Sequence, residues 1–322
     1  MSPALLLGVG LLAGSIIVSA IISYRISDAP RSWRGFWHHV LPPDSFRHPS
    51  GRADIIFFIS RALTNLVVVV PGAAFVFGVG AMVNRLLQHV MPLPPSTTAA
   101  TTGLLILFSL TMMLIYDFSY FLFHFALHRV PLLWEIHKVH HSAEVMVGLT
   151  KYRVHPLETF IQHLWDAVFV GTVYGVWLFF AYDPVELAVF GIDIYRFRNI
   201  LLLDVIRHTD YPIGFGPVVG KIFISPHYHQ LHHSAAREHW DKNLGLGLAV
   251  WDWLFGTLMA PKPNEVFTYG LRLTDRESQD YHALWRLYTV AVIKMVRMAN
   301  GRRRPPVPSM NTLPPGDTGT SY

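Results

Sequence analysis

The sequence contains no cysteine and is poor in charged residues. Without cysteine, disulfides, thiolate zinc sites, iron–sulfur clusters and cysteine nucleophiles are excluded. Aspartate, glutamate, lysine and arginine make up 15% of the chain, against roughly 25% in a typical soluble domain. Disordered proteins, coiled coils and nucleic-acid-binding domains need far more charge. These classes are therefore excluded, and no nucleic-acid partner is expected.

Hydrophobic residues are abundant instead, at 52%, and they form long runs. Residues 3–23 carry no charged side chain, and a helix needs roughly 20 such residues to cross a bilayer. Further apolar stretches cover about 55–84, 101–123 and 164–194. A proline with polar neighbours near residue 184 breaks the last stretch, which we interpret as a helical hairpin. The pattern predicts an all-α integral membrane protein with about four transmembrane helices.

Basic residues indicate which loops lie on the same side of the membrane. Lysine or arginine occurs in 25–53, in 124–160 and after 195, whereas 86–102 contains neither. By the positive-inside rule the three basic regions are cytoplasmic. The composition resembles that of a bacterial inner-membrane protein, although a reticulum membrane would satisfy the same topology. A cleavable secretory signal is the alternative interpretation of residues 3–23.

The chain has 18 histidines, and eight of them form three tight groups. The first group is an HxxxH motif at the end of the third apolar stretch, and the other two are HxxHH motifs. Their members are His124 and His128, then His137, His140 and His141, then His229, His232 and His233.

Helical residues at i, i+3 and i+4 lie close together, so each motif presents several imidazoles together. Imidazole is the commonest metal ligand in proteins. Eight such ligands exceed the four of a tetrahedral ion and suit two ions. We therefore predict a cytoplasmic helical cap that holds a histidine-rich dimetal site. Zinc, copper, iron and nickel all accept imidazole, so the ligands alone leave the metal open.

The stretch from Asp117 to Thr257 resembles the fatty acid hydroxylase/sterol desaturase superfamily of membrane diiron enzymes. The resemblance lies in the runs DFSYFLFHFALHR, WEIHKVHHS, YRVHPLE, SPHYHQLHHS and DKNLGLGLAVWDWLFGT. It implies that the eight box histidines bind two iron ions, with O₂ as co-substrate. His155 in the YRVHPLE run and His208 in RHTDYP are further candidate ligands by the same resemblance.

Three other residues are candidates for catalytic roles. Asp117 and Tyr120 share a helix stripe with the first histidine motif, and Asp117 is placed to accept a ring N–H of a ligand histidine. A salt bridge to a nearby arginine is the alternative for Asp117. Asn243 occupies the position where family members commonly have an asparagine. Glu158 also invites a ligand-orienting role, or it pairs with Arg153 instead.

The resemblance implies an O₂-dependent enzyme that hydroxylates or desaturates a lipid from the bilayer, and hydroxylation is favoured. The sequence shows no haem-binding domain or flavin motif, so a separate electron-transfer protein or reductase is expected as partner. The lipid stays open between a sterol, a fatty acyl chain, a carotenoid, an ether lipid and an amino-acid-headed lipid. A membrane zinc-dependent hydrolase or lyase acting on a lipid is the alternative function.

We divide the chain into 1–100 (N-terminal membrane helices and loops), 101–260 (catalytic domain), 261–299 (C-terminal amphipathic helix) and 300–322 (disordered tail). The apolar and basic stretch from Leu284 to Met298 either lies along the membrane surface or packs as an ordinary helix. The aromatic run 251–255 is expected to be an interfacial anchor or a cap.

Overall fold

The computed structural model describes residues 14, 17–18, 20–25, 27–92, 102–180, 188–189, 192–193, 206–262, 265–271, 281 and 283–300. These residues are mainly helical, which confirms the helical part of the predicted fold class. The disordered tail predicted for 300–322 falls almost entirely outside them.

The regular elements, in chain order, are α1 (Trp33–Val40), α2 (Pro43–Arg47), α3 (Pro49–Thr64), α4 (Val70–Val90), α5 (Thr102–Arg129), α6 (Pro131–His141), α7 (Pro156–Asp166), α8 (Thr172–Phe180), β1 (Ala188–Val189), β2 (Ile192–Asp193), α9 (Gly216–Val219), α10 (Pro226–His232), α11 (Val250–Phe255) and α12 (Leu284–Ala299). Single π-helical turns join α3 to α4 at Asn65–Val69 and α7 to α8 at Ala167–Gly171. Short 3₁₀ turns occupy Gly148–Tyr152 and Arg237–His239.

Three helices among the described residues are long and apolar enough to cross a membrane: Leu66–Val90, Thr102–Arg129 and Pro156–Phe180. They correspond to the second and third predicted spans and to the first arm of the predicted hairpin. The span predicted at 3–23 lies largely outside the described residues. Four crossings and the cytoplasmic position of the cap therefore stay predictions.

The second arm of the predicted helical hairpin differs from the expectation where it is described. Residues 188–193 contain two short antiparallel strands, in which Ala188 pairs with Asp193 and Val189 with Ile192. The prediction of a helix is therefore wrong for residues 188–189 and 192–193. The remainder of the second arm lies outside the described residues.

Glycines allow α4 and the α8 region to approach closely. A Cβ atom added at Gly175 would lie 2.5 Å from the carbonyl oxygen of Gly80, and one at Gly171 would lie 2.7 Å from that of Val76. Small residues permit this kind of close backbone packing between membrane helices, where hydrophobic burial gives little driving force. The glycines of these two predicted spans therefore have a packing role.

Replacing Gly175 by leucine is expected to destabilise the protein by about 1–3 kcal/mol, because the new side chain must push α4 away. Gly78 is the matched control, since a Cβ atom there would meet nothing within 4 Å. Thermal unfolding in detergent micelles measures both variants. A Gly78→Leu variant that loses as much stability as Gly175→Leu would contradict this account.

Helix α6 lies in the main hydrophobic core. Ile136 and Val139 of α6 pack with Phe57, Phe123 and Leu127 from α3 and α5, and with Leu287 and Ala291 of α12. One face of α12 is therefore packed like that of an ordinary helix. The helical part of the 261–299 region begins at Leu284.

Candidate metal centre

The first two histidine motifs lie at the ends of consecutive helices. His124 and His128 are in the last turns of α5, and α6 begins two residues after α5 ends. Val130 between them is extended, and Pro131 occupies the first turn of α6, where its fixed φ suits a helix start. This short connection brings α6 against the end of α5, so that the Nε2 atoms of His124 and His137 lie 3.1 Å apart.

The third motif lies on α10, a helix of seven residues, all of them buried. The Ser225 side chain caps this helix by accepting a hydrogen bond from the Tyr228 N–H. Gln230 of α10 donates to the carbonyl oxygens of Thr209 and Tyr211. These bonds hold the 208–211 segment against α10, and His208 thereby joins the motif.

Nine histidines converge in two groups whose ligand atoms lie within 4.8 Å of one another. The first group contains His124, His128, His137, His141 and His232. The second group contains His140, His208, His229 and His233. The two groups adjoin, since the ring centroids of His141 and His233 are 4.6 Å apart.

Each HxxHH motif is divided between the two groups. On α6, His137 and His141 belong to the first group and His140 to the second. In the third motif, whose last member His233 directly follows α10, the assignment is reversed: His229 and His233 belong to the second group and His232 to the first. A motif is therefore shared by both groups and does not form a site of its own.

Hydrogen bonds fix the ring orientation in the first group. The Nδ1 of His124 donates to the Leu244 carbonyl at 2.7 Å, and that of His232 to the Lys242 carbonyl at 2.9 Å. The Nδ1 of His137 lies 3.0 Å from the Glu158 carboxylate, and that of His128 lies 3.3 Å from the Asp241 carboxylate. With these protons on Nδ1, neutral rings keep only a lone pair on Nε2.

These Nε2 lone pairs test whether metal ions fit. The Nε2 atoms of His128, His141 and His232 are buried and have no hydrogen-bond partner among the described residues. The Nε2 atoms of His124 and His137 lie 3.1 Å apart. Since both carry a lone pair and neither carries a proton, they cannot form a hydrogen bond with each other. A cation would satisfy all of these lone pairs. Ring N–H groups held by carbonyls and carboxylates are also the usual support of metal-bound histidines, so the residues fit a metal ion.

The second group has the same convergent arrangement. The Nε2 of His208 lies 3.2 Å from that of His140 and 2.9 Å from that of His229, and His233 follows at 3.2 Å from His229. Four imidazole nitrogens gather around one point, a number that suits a single ion. The donor set is nitrogen only, and it suits iron, zinc, copper or nickel.

Burial keeps these histidines neutral, which is the form that binds metal. Removal from water lowers the pKa of His140 from 6.5 to about 3. The same cause, reinforced by the neighbouring imidazoles, lowers the pKa well below the ordinary value at His137, His141, His208, His229, His232 and His233.

The metal-free protein is expected to lose stability as the pH falls from about 6.5 toward 3. Unfolded histidines take up protons in this interval while buried ones stay neutral, so each costs about 1 kcal/mol per pH unit. Thermal unfolding across this range measures the effect. Metal-loaded protein should resist acid to a lower pH, because protons must first displace the metal. An unfolding temperature of the metal-free protein that does not change with pH would contradict the neutral assignment.

The sequence model of the fatty acid hydroxylase family matches residues 109–257, and these residues contain all nine converging histidines. Residues 109–257 are a fatty acid hydroxylase domain. The domain begins within α5 and ends directly after α11.

Curated relatives match about half of the chain. Alkylglycerol monooxygenase of Caenorhabditis elegans is 27% identical over 175 residues, and that of Homo sapiens is 32% identical over 159 residues. These alignments cover 52% and 48% of this chain and 31% of each relative, so the chain spans about a third of their length. A methylsterol monooxygenase-like protein of Dictyostelium discoideum is 32% identical over 145 residues, which are 45% of this chain and 47% of that protein. No solved structure matches the chain significantly.

The two additional ligand candidates of the fatty acid hydroxylase domain have different positions. His208 lies in the second group, and His155 lies in neither. The Nδ1 of His155 accepts from the Leu157 N–H at the start of α7, and its Nε2 donates to the Tyr288 carbonyl. Because both ring nitrogens of His155 are bonded to the backbone, His155 has no nitrogen available for a metal ion in this arrangement.

The three candidate catalytic residues lie around the domain's histidines. Asp117 is fully buried and accepts hydrogen bonds from the Leu248 N–H and the Trp251 indole. The ring N–H of His124 is instead taken by a backbone carbonyl, so Asp117 supports the 248–251 segment. Tyr120 is half-buried, with its ring 5.6 Å from that of His124.

The side chain of Asn243 is bonded to the backbone and not to the histidines. It is buried with a φ of 54°, and its side chain bonds the backbone at Tyr228 and Met259. It thereby ties the loop after the third motif to α10. A catalytic role for Asn243 is not supported by these bonds.

Glu158 is bonded to His137, and Arg153 is paired with Asp54 instead. Of the two alternatives left open by the sequence, the ligand-orienting one matches the geometry.

Sequence reasoning missed two carboxylates of the domain. Asp241 contacts His128. Asp252 is fully buried and accepts bonds from the Leu244 and Gly245 N–H groups, both at 2.7 Å, and so holds the carbonyl that orients His124. A signal for Asp241 was available, since aspartate and asparagine tolerate positive φ and the DKN run is a turn sequence.

Proposed function

We propose that the chain is a membrane monooxygenase that hydroxylates a lipid at a centre of two iron ions, using O₂ and electrons from a separate protein. The observation that carries the proposal is the convergence of nine histidines, eight of them buried, in two adjoining groups within a fatty acid hydroxylase domain. Relatives that are named as monooxygenases favour hydroxylation over desaturation. They support an ether lipid or a sterol as the substrate class.

We assign the first group as the ligands of one ion and the second group as the ligands of the other. The chemistry that iron supplies in such a site is the activation of O₂ toward an unreactive C–H bond. Glu158, Asp241 and the carbonyls of Leu244 and Lys242 hold the rings of the first group in place. Fixed rings keep the site preorganised, so little reorientation is needed during reaction.

The position of the site suits a hydrocarbon substrate. His124 and His128 end a helix that is long enough to span the membrane, so a lipid tail can reach the histidines without crossing water. Apolar residues next to the histidines along the chain are fully buried, namely Ile136 before His137, Leu231 before His232, and Phe121 one turn before His124. This enclosure excludes water, which protects a reactive oxidant from side reactions.

The test is lipid mass spectrometry of cells that express the protein under heavy-isotope O₂. The expected result is a lipid that gains one heavy oxygen atom, absent from cells that express His140→Ala at equal membrane level. Product formed without O₂ would refute the proposal and favour the zinc-dependent hydrolase or lyase.

A further inference from the structure

Helices α9 and α11 expose an unusual number of large apolar side chains. In α9 and the turn after it, Val218 is 74% exposed, with Val219 and Ile222 at 45% each. In α11, Trp253 is 65%, Leu254 60% and Phe255 47% exposed. Groups of large exposed apolar side chains such as these are typical of interaction sites. We call these six residues the apolar patch.

Backbone pairing joins the two halves of the apolar patch. The Ala249 N–H donates to the Ile222 carbonyl at 2.8 Å, and the Ile224 N–H donates to the Gly247 carbonyl at 2.9 Å. Ile224 and Ala249 are fully buried and pack together beneath this pairing. The two exposed stretches flank a fixed, paired segment and therefore belong to one rigid unit.

This unit packs directly on a candidate membrane span. The ring of Phe255 lies 5.0 Å from that of Phe121 and 6.0 Å from that of Phe125, both on α5. The Trp251 ring lies 4.8 Å from that of Phe118 on the same helix. The apolar patch is thus continuous with the histidine end of a helix that is long and apolar enough to cross the bilayer.

The charges around the apolar patch favour a lipid surface. Between residues 216 and 222 the only charged residue is Lys221, which is exposed. Between residues 250 and 256 the only charged residue is Asp252, which is fully buried in bonds to the backbone. Tryptophan, leucine and phenylalanine beside a lysine are the composition of segments that lie in the membrane interface.

We propose that the apolar patch docks into the lipid leaflet nearest to the histidines. Its side chains enter the interfacial layer, about 5–10 Å into the boundary of headgroups and acyl chains, and Lys221 meets lipid phosphates. The patch is therefore a membrane contact in addition to the spanning helices. This inference does not depend on the proposed chemistry.

Docking has a consequence for the metal centre. The same helix that carries Trp253 and Leu254 carries Asp252, which holds the Leu244 N–H, and the Leu244 carbonyl accepts from His124. The lipid leaflet thus supports the segment that orients one ligand histidine.

The absence of cysteine allows a direct test, since every introduced thiol is unique. The full chain is reconstituted in nanodiscs of phosphatidylcholine and phosphatidylglycerol, with Leu254→Cys or Val218→Cys carrying a nitroxide label. Val266→Cys is the matched control, because Val266 is 92% exposed but lines a cavity with Glu144, Asp210 and Glu265. These carboxylates disfavour lipid contact.

The measurement is the collision rate of each label with O₂, which concentrates in the bilayer, and with a water-soluble nickel chelate. Labels at 254 and 218 are expected to show an O₂-to-nickel ratio several-fold higher than the label at 266. Equal ratios at all three sites would overturn the proposal. Protection of 254 and 218 from both reagents would also overturn it, because another protein surface would then cover the apolar patch.

Discussion

Replacing His140 by alanine is expected to abolish the proposed lipid hydroxylation and to lower the metal content of the purified protein by one ion. His140 is one of four nitrogens in the second group, and a site left with three loses much of its affinity. The first group keeps all five of its histidines. Elemental analysis of protein purified in mild detergent measures iron per chain, and lipid mass spectrometry measures the product.

The control for this experiment is His155→Asn. His155 is also buried and close in sequence, but its nitrogens bond Leu157 and Tyr288, and asparagine can still cap α7. This variant should retain both ions. Full activity in His140→Ala, or equal loss of metal in both variants, would contradict the assignment of ligands.

Replacing Asp54 by alanine is expected to cost about 3–5 kcal/mol of stability, because it leaves a buried arginine without its counter-ion. Arg153 is fully buried and lies 3.0 Å from the Asp54 carboxylate. It also donates to the Ser50 hydroxyl and the Tyr281 carbonyl. These bonds connect the region after the second motif to α3 and to the segment before α12. Chemical unfolding in detergent measures the loss.

Two comparisons sharpen this prediction. Asp54→Leu combined with Arg153→Met removes both charges and should recover much of the stability lost by the single change. Asp44→Ala removes an exposed ion pair with Arg47 and should leave stability unchanged. A double variant less stable than Asp54→Ala would show that the charge is not the cause.

The motifs in the sequence predicted which histidines gather at the site, but not how each motif is divided between two groups. At about 100° per residue on a helix, positions i and i+4 differ by about 40°, whereas i+3 lies about 100° from i+4. His137 and His141 therefore point in similar directions and His140 points away from His141. Which neighbour receives each direction depends on how α5, α6 and α10 pack, and spacing within one helix does not contain that information.

Other parts of the centre were beyond sequence reasoning for a different reason. Every residue has a carbonyl, so nothing marks those of Lys242 and Leu244 as the groups that orient His232 and His124. His155 and His208 were equivalent candidates in the sequence. His155 caps α7 by accepting a hydrogen bond from the Leu157 N–H, whereas Gln230 bonds the segment that contains His208 and so holds it beside α10.

Because α6 and α10 each supply both groups, the two metal positions share the same rigid supports. A shift of either helix along its axis would move nitrogens of both groups at once, so neither group could move relative to the other without a change in the packing of these helices. Only the histidines outside the two HxxHH motifs could alter one group without the other. These are His124 and His128 in the first group and His208 in the second. Variation that retunes a single ion should therefore concentrate around the end of α5 and the 208–211 segment.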